Sequence, residues 1–479
     1  MNHLSMEKTS LTSPGGRQGA IDRATDYVDS GTFQADLTRR VALKTVSQSL
    51  PDSLPFMYRY LKDEIAPPFE RMGFTTRIYD NPIQGKPPVL LATRMEGSDR
   101  PTVLGYGHGD VQPGLDNLWT KGKGPWVLAR DGDKLYGRGS ADNKGQHTLN
   151  MAALDAVYTE RGGRLGFNAK FMVETGEEVG SPGLSQLIAA HKDDFAAGVM
   201  IGSDAPRVHA DRPTLILGCR GVLMFDLVCQ LHDKAYHAGQ WGGLIANPAL
   251  ILANALAAIV GPTGELLVPS LKAPPMPASV QKALDDLDHN GDGPSDPAVD
   301  KWWGEPGMTP TERVYASNVF QVLAMLAGTP EHPAVVVPPK AVANCQMRFV
   351  AGTNLDNIMP ALQEHLDGKG LSDVKVVTPP PQFAGSDEAT RTDPDNPWVR
   401  FVIDSLKLTC GAGPAVVPQM GGSICNAVFT NVLGIPAIWI PHSDPNSQEH
   451  APNEHMLISL SRSAIELMAG LYWDIGERK

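Results

Sequence analysis

Short apolar segments alternate with helical patterns through the first part of the chain, and this alternation limits the possible fold more than any other feature. Five segments are predicted to be strands, at residues 75–79, 89–94, 102–107, 169–174 and 199–203, the last two of them buried. Helical periodicity begins around Phe33 and recurs over 54–72 and 144–158. Strands that alternate with helices predict an α/β fold with a mostly parallel sheet.

The order of the predicted elements changes after Arg212. Here the pattern predicts a strand, a helix, two strands, a helix and a strand, at 222–230, 248–259, 320–326, 341–349, 355–366 and 373–377. This order is typical of a ferredoxin-like α+β unit, interrupted by a Pro- and Asp-rich segment between Gly261 and Arg313. After about Gln382 the α/β pattern returns, with helices at 397–408 and 456–471 and a strand at 437–440.

The simplest organisation is one α/β domain made of two chain segments, with a smaller domain inserted between them. We expect a flexible N-terminal tail at 1–20 and the first α/β segment at 21–213. The insert then covers 214–382, and the second α/β segment covers 383–479.

Charge and apolar content exclude several classes of protein. The 41 Lys and Arg residues against 53 Asp and Glu residues give a net charge of −12, which argues against a nucleic-acid-binding surface. The most apolar stretch, 246–260, is interrupted by Asn and Pro, so we expect no membrane span. Residues 1–20 lack the apolar core of a signal peptide, and five scattered cysteines suit reduced thiols. These features predict a cytoplasmic protein.

Histidine and acidic residues follow the predicted strands and recur near the C-terminus. The clusters are His108-Gly-Asp110, the Gly-rich turn around Asp142, Glu174-Thr-Gly-Glu177-Glu178, Ser203-Asp204 and Glu449-His450. In α/β sheets, ligands bind beyond the carboxyl ends of the strands. We therefore expect these side chains to form one site.

Imidazole and carboxylate groups are the ligands of hydrolytic metal sites. Two metal ions need a bridging carboxylate and further ligands on each side, and five residues supply that set: His108, Asp142, Glu178, Asp204 and His450. Asp110 lies two residues after His108, where it can hold the ring nitrogen that does not bind metal. Glu177 is adjacent to a ligand, as expected of a general base.

Three motifs resemble those of a known family. They are Gly137-Arg-Gly-Ser-Ala-Asp142-Asn-Lys-Gly145, Glu174-Thr-Gly-Glu-Glu178-Val-Gly-Ser-Pro-Gly183 and His450-Ala-Pro-Asn-Glu454. In combination they resemble the co-catalytic metallopeptidase family of carnosine dipeptidases, glutamate carboxypeptidases and succinyl-diaminopimelate desuccinylases, above all its dipeptidase branch. The resemblance covers nearly the whole chain after the tail. It implies a catalytic α/β domain with an inserted lid and dimerisation domain.

The resemblance also implies a role for each candidate residue. Asp142 would bridge two divalent ions, His108 and Asp204 would bind one ion, Glu178 and His450 would bind the other, Glu177 would be the general base, and Asp110 would orient His108. The ions are expected to be zinc, with manganese or cobalt as alternatives.

Two residues of the predicted insert, and one loop of the second α/β segment, complete the implied site. His237 resembles the family histidine that reaches across a homodimer to stabilise the oxyanion, although Ala238 replaces the usual serine. Arg348 resembles the arginine that binds the C-terminal carboxylate of the substrate. The segment Gly421-Gly422-Ser423 resembles a substrate-binding loop, in which Cys425 replaces the usual proline.

Together with the resemblance, these observations predict a two-metal hydrolase that cleaves dipeptides or short peptides with a free C-terminal carboxylate. The resemblance implies that it works as a homodimer. The sequence leaves two alternatives open. One is a deacylase of N-acyl amino acids or other amides that uses the same metal site. The other is a metal-binding member of the family without catalytic activity.

Overall fold

The computed structural model describes residues 15–288, 297–380 and 383–478. The chain divides into two compact units. The first consists of Met1–Leu215, Pro397–Pro414 and Val432–Lys479, and the second of Ile216–Asn396 and Ala415–Asn431. Residues 1–14 of the predicted tail and 289–296 of the Pro- and Asp-rich segment lie outside the described residues. The predicted domain boundaries, and the lid and dimerisation roles, stay predictions.

The α-helices of the described residues are numbered in chain order. From α1 to α14 they are Arg17–Asp29, Thr32–Val41, Leu54–Arg59, Ala66–Arg71, Lys144–Glu160, Leu184–Ala190, Lys192–Phe195, Ala238–Trp241, Pro248–Ile259, Ala278–Leu284, Pro310–Tyr315, Ile358–Gly368, Pro397–Cys410 and Ile458–Glu477. Single turns of 3-10 helix occur at Ser47–Ser49, Asp116–Leu118, Glu177–Val179, Pro269–Leu271 and Leu355–Asn357, and π-helical turns at Tyr60–Ile65 and Val428–Leu433.

The strands are numbered in the same way. From β1 to β20 they are Thr75–Tyr79, Val89–Arg94, Thr102–His108, Ala129–Asp131, Lys134–Tyr136, Asn168–Glu174, Val199–Gly202, Thr214–Ile216, Gly218–Cys219, Gly221–Gln230, Tyr236–His237, Val319–Ala327, Val336–Val337, Lys340–Phe349, Val374–Val377, Ser386–Asp387, Thr390–Arg391, Ala415–Val417, Ala437–Trp439 and His455–Leu457.

The main sheet of the first unit contains six of these strands in the order β1-β2-β6-β3-β7-β19. The pairs β6/β3, β3/β7 and β7/β19 are parallel, whereas β1/β2 and β2/β6 are antiparallel. The predicted α/β fold with a mostly parallel sheet is confirmed. Strand β6 is buried along its whole length, as expected of a strand that is covered on both faces.

Helix α5 packs directly against β3. A Cβ atom added to Gly107 would lie 2.4 Å from Cβ of His147, so only glycine permits this approach of strand and helix. The contact fixes α5, and the turn that precedes it, beside the carboxyl end of β3. Helix α1 begins at Arg17, inside the predicted tail, so that part of the tail prediction is wrong, and Arg17 forms an ion pair of 2.8 Å with Asp474 of α14.

The second unit contains an antiparallel sheet in the order β12-β14-β10-β15. Along the chain the elements run β10, α9, β12, β14, α12, β15, which gives the ferredoxin-like order 4-1-3-2 and confirms that prediction. Buried apolar side chains of both helices and the sheet form one core, with Leu252, Phe225, Met347 and Leu362 among its members. No helix of the described residues is long and apolar enough to cross a bilayer.

Candidate metal centre and substrate-binding residues

Neighbouring strands of the main sheet place the predicted metal ligands. His108 is the last residue of β3, and Asp204 follows β7, the adjacent parallel strand. Asp142 lies in the turn before α5, and Glu178 in the single helical turn after β6. His450 lies in the loop before β20. Because the parallel strands β3, β6 and β7 end at the same edge of the sheet, His108, Glu178 and Asp204 meet there, and the turn before α5 and the loop before β20 add Asp142 and His450.

The carboxylate of Asp142 stands between two histidines. Its Oδ1 atom lies 2.9 Å from Nε2 of His108, and its Oδ2 atom lies 2.9 Å from Nε2 of His450. On the far side of His108, Oδ2 of Asp204 lies 3.8 Å from the same ring nitrogen. On the far side of His450, Oε2 of Glu178 lies 3.1 Å away. The geometry is therefore a central carboxylate with one histidine–carboxylate pair on each side.

The donor set fits divalent metal ions. Ligand atoms of His108, Asp142 and Glu178 lie within 4.8 Å of one another, so these residues form a group that could hold metal. Imidazole nitrogen with carboxylate oxygen is the combination found at hydrolytic zinc sites. Two ions bridged by one carboxylate require two such ligand groups, and Asp142 belongs to both of them.

The pKa values show how strongly these groups are coupled. Hydrogen bonds with Asp142 and Glu178 raise the pKa of His450 to about 11. Burial raises the pKa of Glu178 to about 7. Burial by itself lowers the pKa of His108, but its hydrogen bonds to carboxylates, that of Asp110 foremost, outweigh burial and raise it well above 6.5. Without a metal ion, the histidines therefore hold protons that an ion has to displace.

Asp110 and Glu177 lie beside this cluster. Asp110 is fully buried, and its Oδ1 atom lies 3.4 Å from Nδ1 of His108, the ring nitrogen that faces away from Asp142. The backbone N–H groups of Glu177 and Glu178 donate to the two oxygens of Asp110, at 3.2 and 3.1 Å. Burial raises the pKa of Glu177 well above its ordinary value, as expected of a carboxylate suited to proton transfer.

Sequence reasoning missed two residues that hold the ligands in place. Glu454 is fully buried, and its carboxylate accepts the backbone N–H of Asp142 at 3.0 Å. The side-chain amide of Asn143 donates to Oδ1 of Asp204 at 3.1 Å. Both lie inside motifs that carry the family resemblance, so the signal was present, but the motif alone does not reveal which atoms they contact.

The remaining predicted residues belong to the second unit. Nη1 of Arg348 donates to the hydroxyl of Ser423 at 2.9 Å, and this hydroxyl lies within hydrogen-bonding distance, 3.4 Å, of the backbone carbonyl of Arg220. Nη2 of Arg220, a residue that the sequence did not indicate, donates to the carbonyl of Gly421 at 3.3 Å. His237 ends the short strand β11 and is exposed.

Sequence and structure comparisons both match this chain to metallopeptidases. The family model described as Peptidase family M20/M25/M40 matches residues 104–474. A human protein named Beta-Ala-His dipeptidase is 25% identical over 493 residues, which cover 94% of this chain and 92% of that protein. The mouse protein of that name is 36% identical over 190 residues, which cover 39% of this chain and 38% of its own length. A Cys-Gly metallodipeptidase of Candida albicans is 25% identical, over 89% of this chain and 91% of that protein.

Solved structures share the fold. A metallo-carboxypeptidase of Sulfolobus solfataricus, Sso-CP2, superposes with a TM-score of 0.75 at 22% identity, over 93% of this chain and 99% of that one. Human carnosine dipeptidase 1 superposes with a TM-score of 0.70 at 22% identity, over 96% of this chain and 100% of that one. At these identities the superpositions establish the architecture alone.

Proposed function

The chain belongs to peptidase family M20/M25/M40, and on that premise we propose that it is a two-metal dipeptidase. Membership confirms the family resemblance predicted from the motifs, and it makes the protein a peptidase. The observation that carries the proposal is the placement of the two Asp142 oxygens, each 2.9 Å from a different histidine nitrogen. A single metal ion needs no such central carboxylate, whereas a pair of ions does.

The proposed site holds two divalent ions per chain, zinc in the first place, with manganese or cobalt as alternatives. His108 and Asp204 would hold one ion, Glu178 and His450 the other, and Asp142 both. When bound, such a pair polarises the scissile carbonyl and makes water more acidic. Glu177 accepts a proton from the attacking water on its carboxylate and donates it to the nitrogen of the leaving amine. Asp110 keeps the ring of His108 oriented toward the ion through Nδ1.

The arginines of the second unit support a substrate with a free carboxylate. In the described part of the chain no carboxylate oxygen lies within 4 Å of Arg348 or Arg220, although burial lowers the pKa of both. A partly buried guanidinium with no carboxylate in direct contact is costly, although the charge of Asp387 raises the pKa of Arg348 in part, and an anionic ligand relieves that cost. We propose that Arg348 binds the C-terminal carboxylate of the substrate. Arg220 holds the carbonyl of Gly421 and so shapes the loop formed by Gly421, Gly422 and Ser423.

We propose that the enzyme works as a homodimer in which His237 of one subunit stabilises the oxyanion at the site of the other. Strand β12 supports this proposal, because it stands at the end of its sheet and exposes Leu323 and Leu326 to 52% and 58%. An apolar edge strand of this kind can pair antiparallel with the same strand of a second copy. Sedimentation should then report a dimer that Leu323→Lys dissociates. The same change at Leu408, exposed to 67% in the first unit, should leave the dimer intact.

The action of His237 across the dimer has a direct test. Glu177→Gln and His237→Ala should each be nearly inactive alone. In a mixed dimer, the subunit with intact Glu177 receives His237 from its partner, so mixing the two inactive proteins should restore activity. No recovery in mixtures whose subunits have exchanged would refute the proposed role of His237.

The names of the relatives favour dipeptides as the substrate class, since the full-length matches are called Beta-Ala-His and Cys-Gly dipeptidases. A deacylase of N-acyl amino acids is the second candidate, because Arg348 serves any substrate with a carboxylate beside the scissile bond. We also propose a cytoplasmic location, which the five free cysteines support.

Hydrolysis of a panel of free dipeptides and N-acyl amino acids, followed by mass spectrometry, separates these candidates. We expect the zinc- or manganese-loaded protein to cleave free dipeptides. Cleavage of acylated amino acids alone would move the assignment to a deacylase. No cleavage in protein that carries two ions per chain would indicate the third alternative, a metal-binding protein without catalysis.

A further inference from the structure

One buried carboxylate receives four hydrogen bonds from the turn that carries Asp142. Oε1 of Glu454 accepts the backbone N–H groups of Ala141 and Asp142, both at 3.0 Å. Oε2 accepts the backbone N–H of Gly139 at 3.0 Å and Nη1 of Arg138 at 2.8 Å. The side chain of Glu454 is fully buried, so water cannot replace these partners.

These four contacts are concentrated on one short segment. Among the described residues, the partners of the carboxylate all belong to residues 138–142, and one of them is the backbone nitrogen of Asp142 itself. The backbone of Glu454 joins the same segment, because its carbonyl accepts the N–H of Gly137 at 3.1 Å. His450, whose Nε2 atom lies 2.9 Å from Oδ2 of Asp142, lies four residues before Glu454 in the chain. One residue thus connects the Asp142 turn to the segment of His450.

We propose that Glu454 is a positioning residue for the metal centre: it fixes the turn of Asp142 so that the two oxygens of that carboxylate face two ions. The inference rests on the proposed function, since it requires Asp142 to be the bridge. Metal sites need ligand positions that are held to within about 0.5 Å, and neighbouring hydrogen bonds supply that precision. A hydrogen bond from the backbone nitrogen of Asp142 to a buried carboxylate holds this ligand more rigidly than a contact with a solvent-exposed side chain would.

The substitution Glu454→Gln tests this role of the carboxylate. Both carboxylate oxygens of Glu454 face N–H donors, so in either orientation the amide of glutamine points its own N–H toward donors. The turn has to move, although the size of the side chain is unchanged. Glu454→Asp keeps the charge but withdraws the carboxylate by one methylene, and it is the milder variant should glutamine impair folding.

The chain contains a matched control residue, Glu96, at the opposite end of the main sheet's strands β3 and β6 from the proposed metal ligands. Glu96 likewise accepts two backbone N–H groups, of Leu165 and Gly166, both at 2.8 Å, and Nε of Arg94 at 2.9 Å. It lies near the start of β3 and β6, about 20 Å from His108 by the length of β3. Glu96→Gln therefore removes a carboxylate that likewise accepts several N–H groups, at a site that does not contact the proposed metal ligands.

The experiment compares zinc dissociation constants, measured by competition with a chelator, and the visible absorption of cobalt-loaded protein. We expect Glu454→Gln to raise the dissociation constant at least tenfold and to change the cobalt spectrum, with Glu454→Asp changing both in the same direction by less. Glu96→Gln should lower the urea midpoint of unfolding while both metal readouts stay at wild-type values.

Two results would overturn the inference. One is a zinc affinity and cobalt spectrum of Glu454→Gln that match wild type, and the other is an equal loss of affinity in Glu96→Gln. Failure of the proposed function looks different: wild-type protein would bind two ions and hydrolyse no dipeptide, and the comparison of Glu454 with Glu96 would still be decided by the metal readouts.

Discussion

Oδ1 of Asp110 accepts the backbone N–H of Glu177 at 3.2 Å, so the residue beside the histidine ligand also holds the proposed general base. The second oxygen of Asp110 accepts the N–H of Glu178 at 3.1 Å. Nδ1 of His108 lies 3.4 Å from the first oxygen. One buried carboxylate therefore contacts the ring of one proposed ligand and the backbone of both Glu178, a ligand on the other side of the site, and Glu177, the proposed base.

Replacement of Asp110 by asparagine tests this arrangement. An amide can accept on one side only, so at least one of the two N–H groups, or the ring of His108, loses its partner. We expect the zinc dissociation constant to rise about 10- to 100-fold in a chelator competition. Asp99→Asn, an exposed site with the same chemical change, serves as the control. An unchanged affinity in Asp110→Asn would show that the backbone carbonyl of Asp110, 3.2 Å from Nδ1 of His108, orients the ring without the carboxylate.

The strands, and the edge of the sheet at which the proposed metal ligands meet, could be predicted from the sequence because each depends on a short stretch of neighbouring residues. Strand β1 and helix α9 match their predicted ranges residue for residue, since the β-branched and aromatic residues of 75–79 favour a strand and a mainly apolar run of 12 residues that begins with proline favours a helix. His108 was placed correctly at a strand end because glycines and acidic residues surround it in the sequence.

Contacts between distant segments could not be predicted. Glu454 lies 312 residues from Asp142 along the chain, and no periodic pattern encodes which backbone nitrogens its carboxylate binds. Arg220 was missed for the same reason: its contact with Gly421 spans 201 residues. Such contacts depend on how the sheets assemble, which the order of elements alone does not specify.

Zinc affinity should increase with pH. Contacts with Asp142 and Glu178 raise the pKa of His450 to about 11, so in metal-free protein its ring is protonated near neutral pH and must release a proton to bind an ion. We expect the affinity to rise about tenfold per pH unit above about pH 7, and more steeply below it, where Glu178 with a pKa of about 7 also carries a proton. Calorimetry in buffers of different ionisation enthalpy counts the protons released. An affinity that does not vary with pH would contradict these assignments.

His442 should make the metal-free protein sensitive to acid. Burial lowers its pKa to about 3, while the unfolded chain takes up this proton near 6.5. Between these values the unfolded state binds more protons, so the free energy of unfolding decreases as the pH falls, by up to about 1.4 kcal/mol per pH unit. In His442→Asn, urea unfolding between pH 6 and pH 4 should show a shallower dependence, by about one proton. The exposed His209→Asn should keep the wild-type slope, and an equal slope in His442→Asn would refute the claim.

Arg348 should recognise the carboxylate of the substrate. Lysine at this position keeps the charge but loses the planar pair of donors, so we expect KM for free dipeptides to rise about tenfold with a smaller change in kcat. Dipeptide amides, which lack the carboxylate, should show no such difference between wild type and Arg348→Lys. An equal effect on dipeptides and their amides would assign Arg348 to the support of Ser423 rather than to substrate binding.

The most direct test of the account is a metal titration of apoprotein with and without Glu177. We predict that dipeptide hydrolysis by wild type rises until two ions are bound per chain. Glu177→Gln should bind the same two ions and lower kcat by about 100- to 10,000-fold, because it lacks the carboxylate that moves the proton. Full activity in the metal-free protein, or near-normal turnover by Glu177→Gln with both ions bound, would contradict the proposed two-metal mechanism.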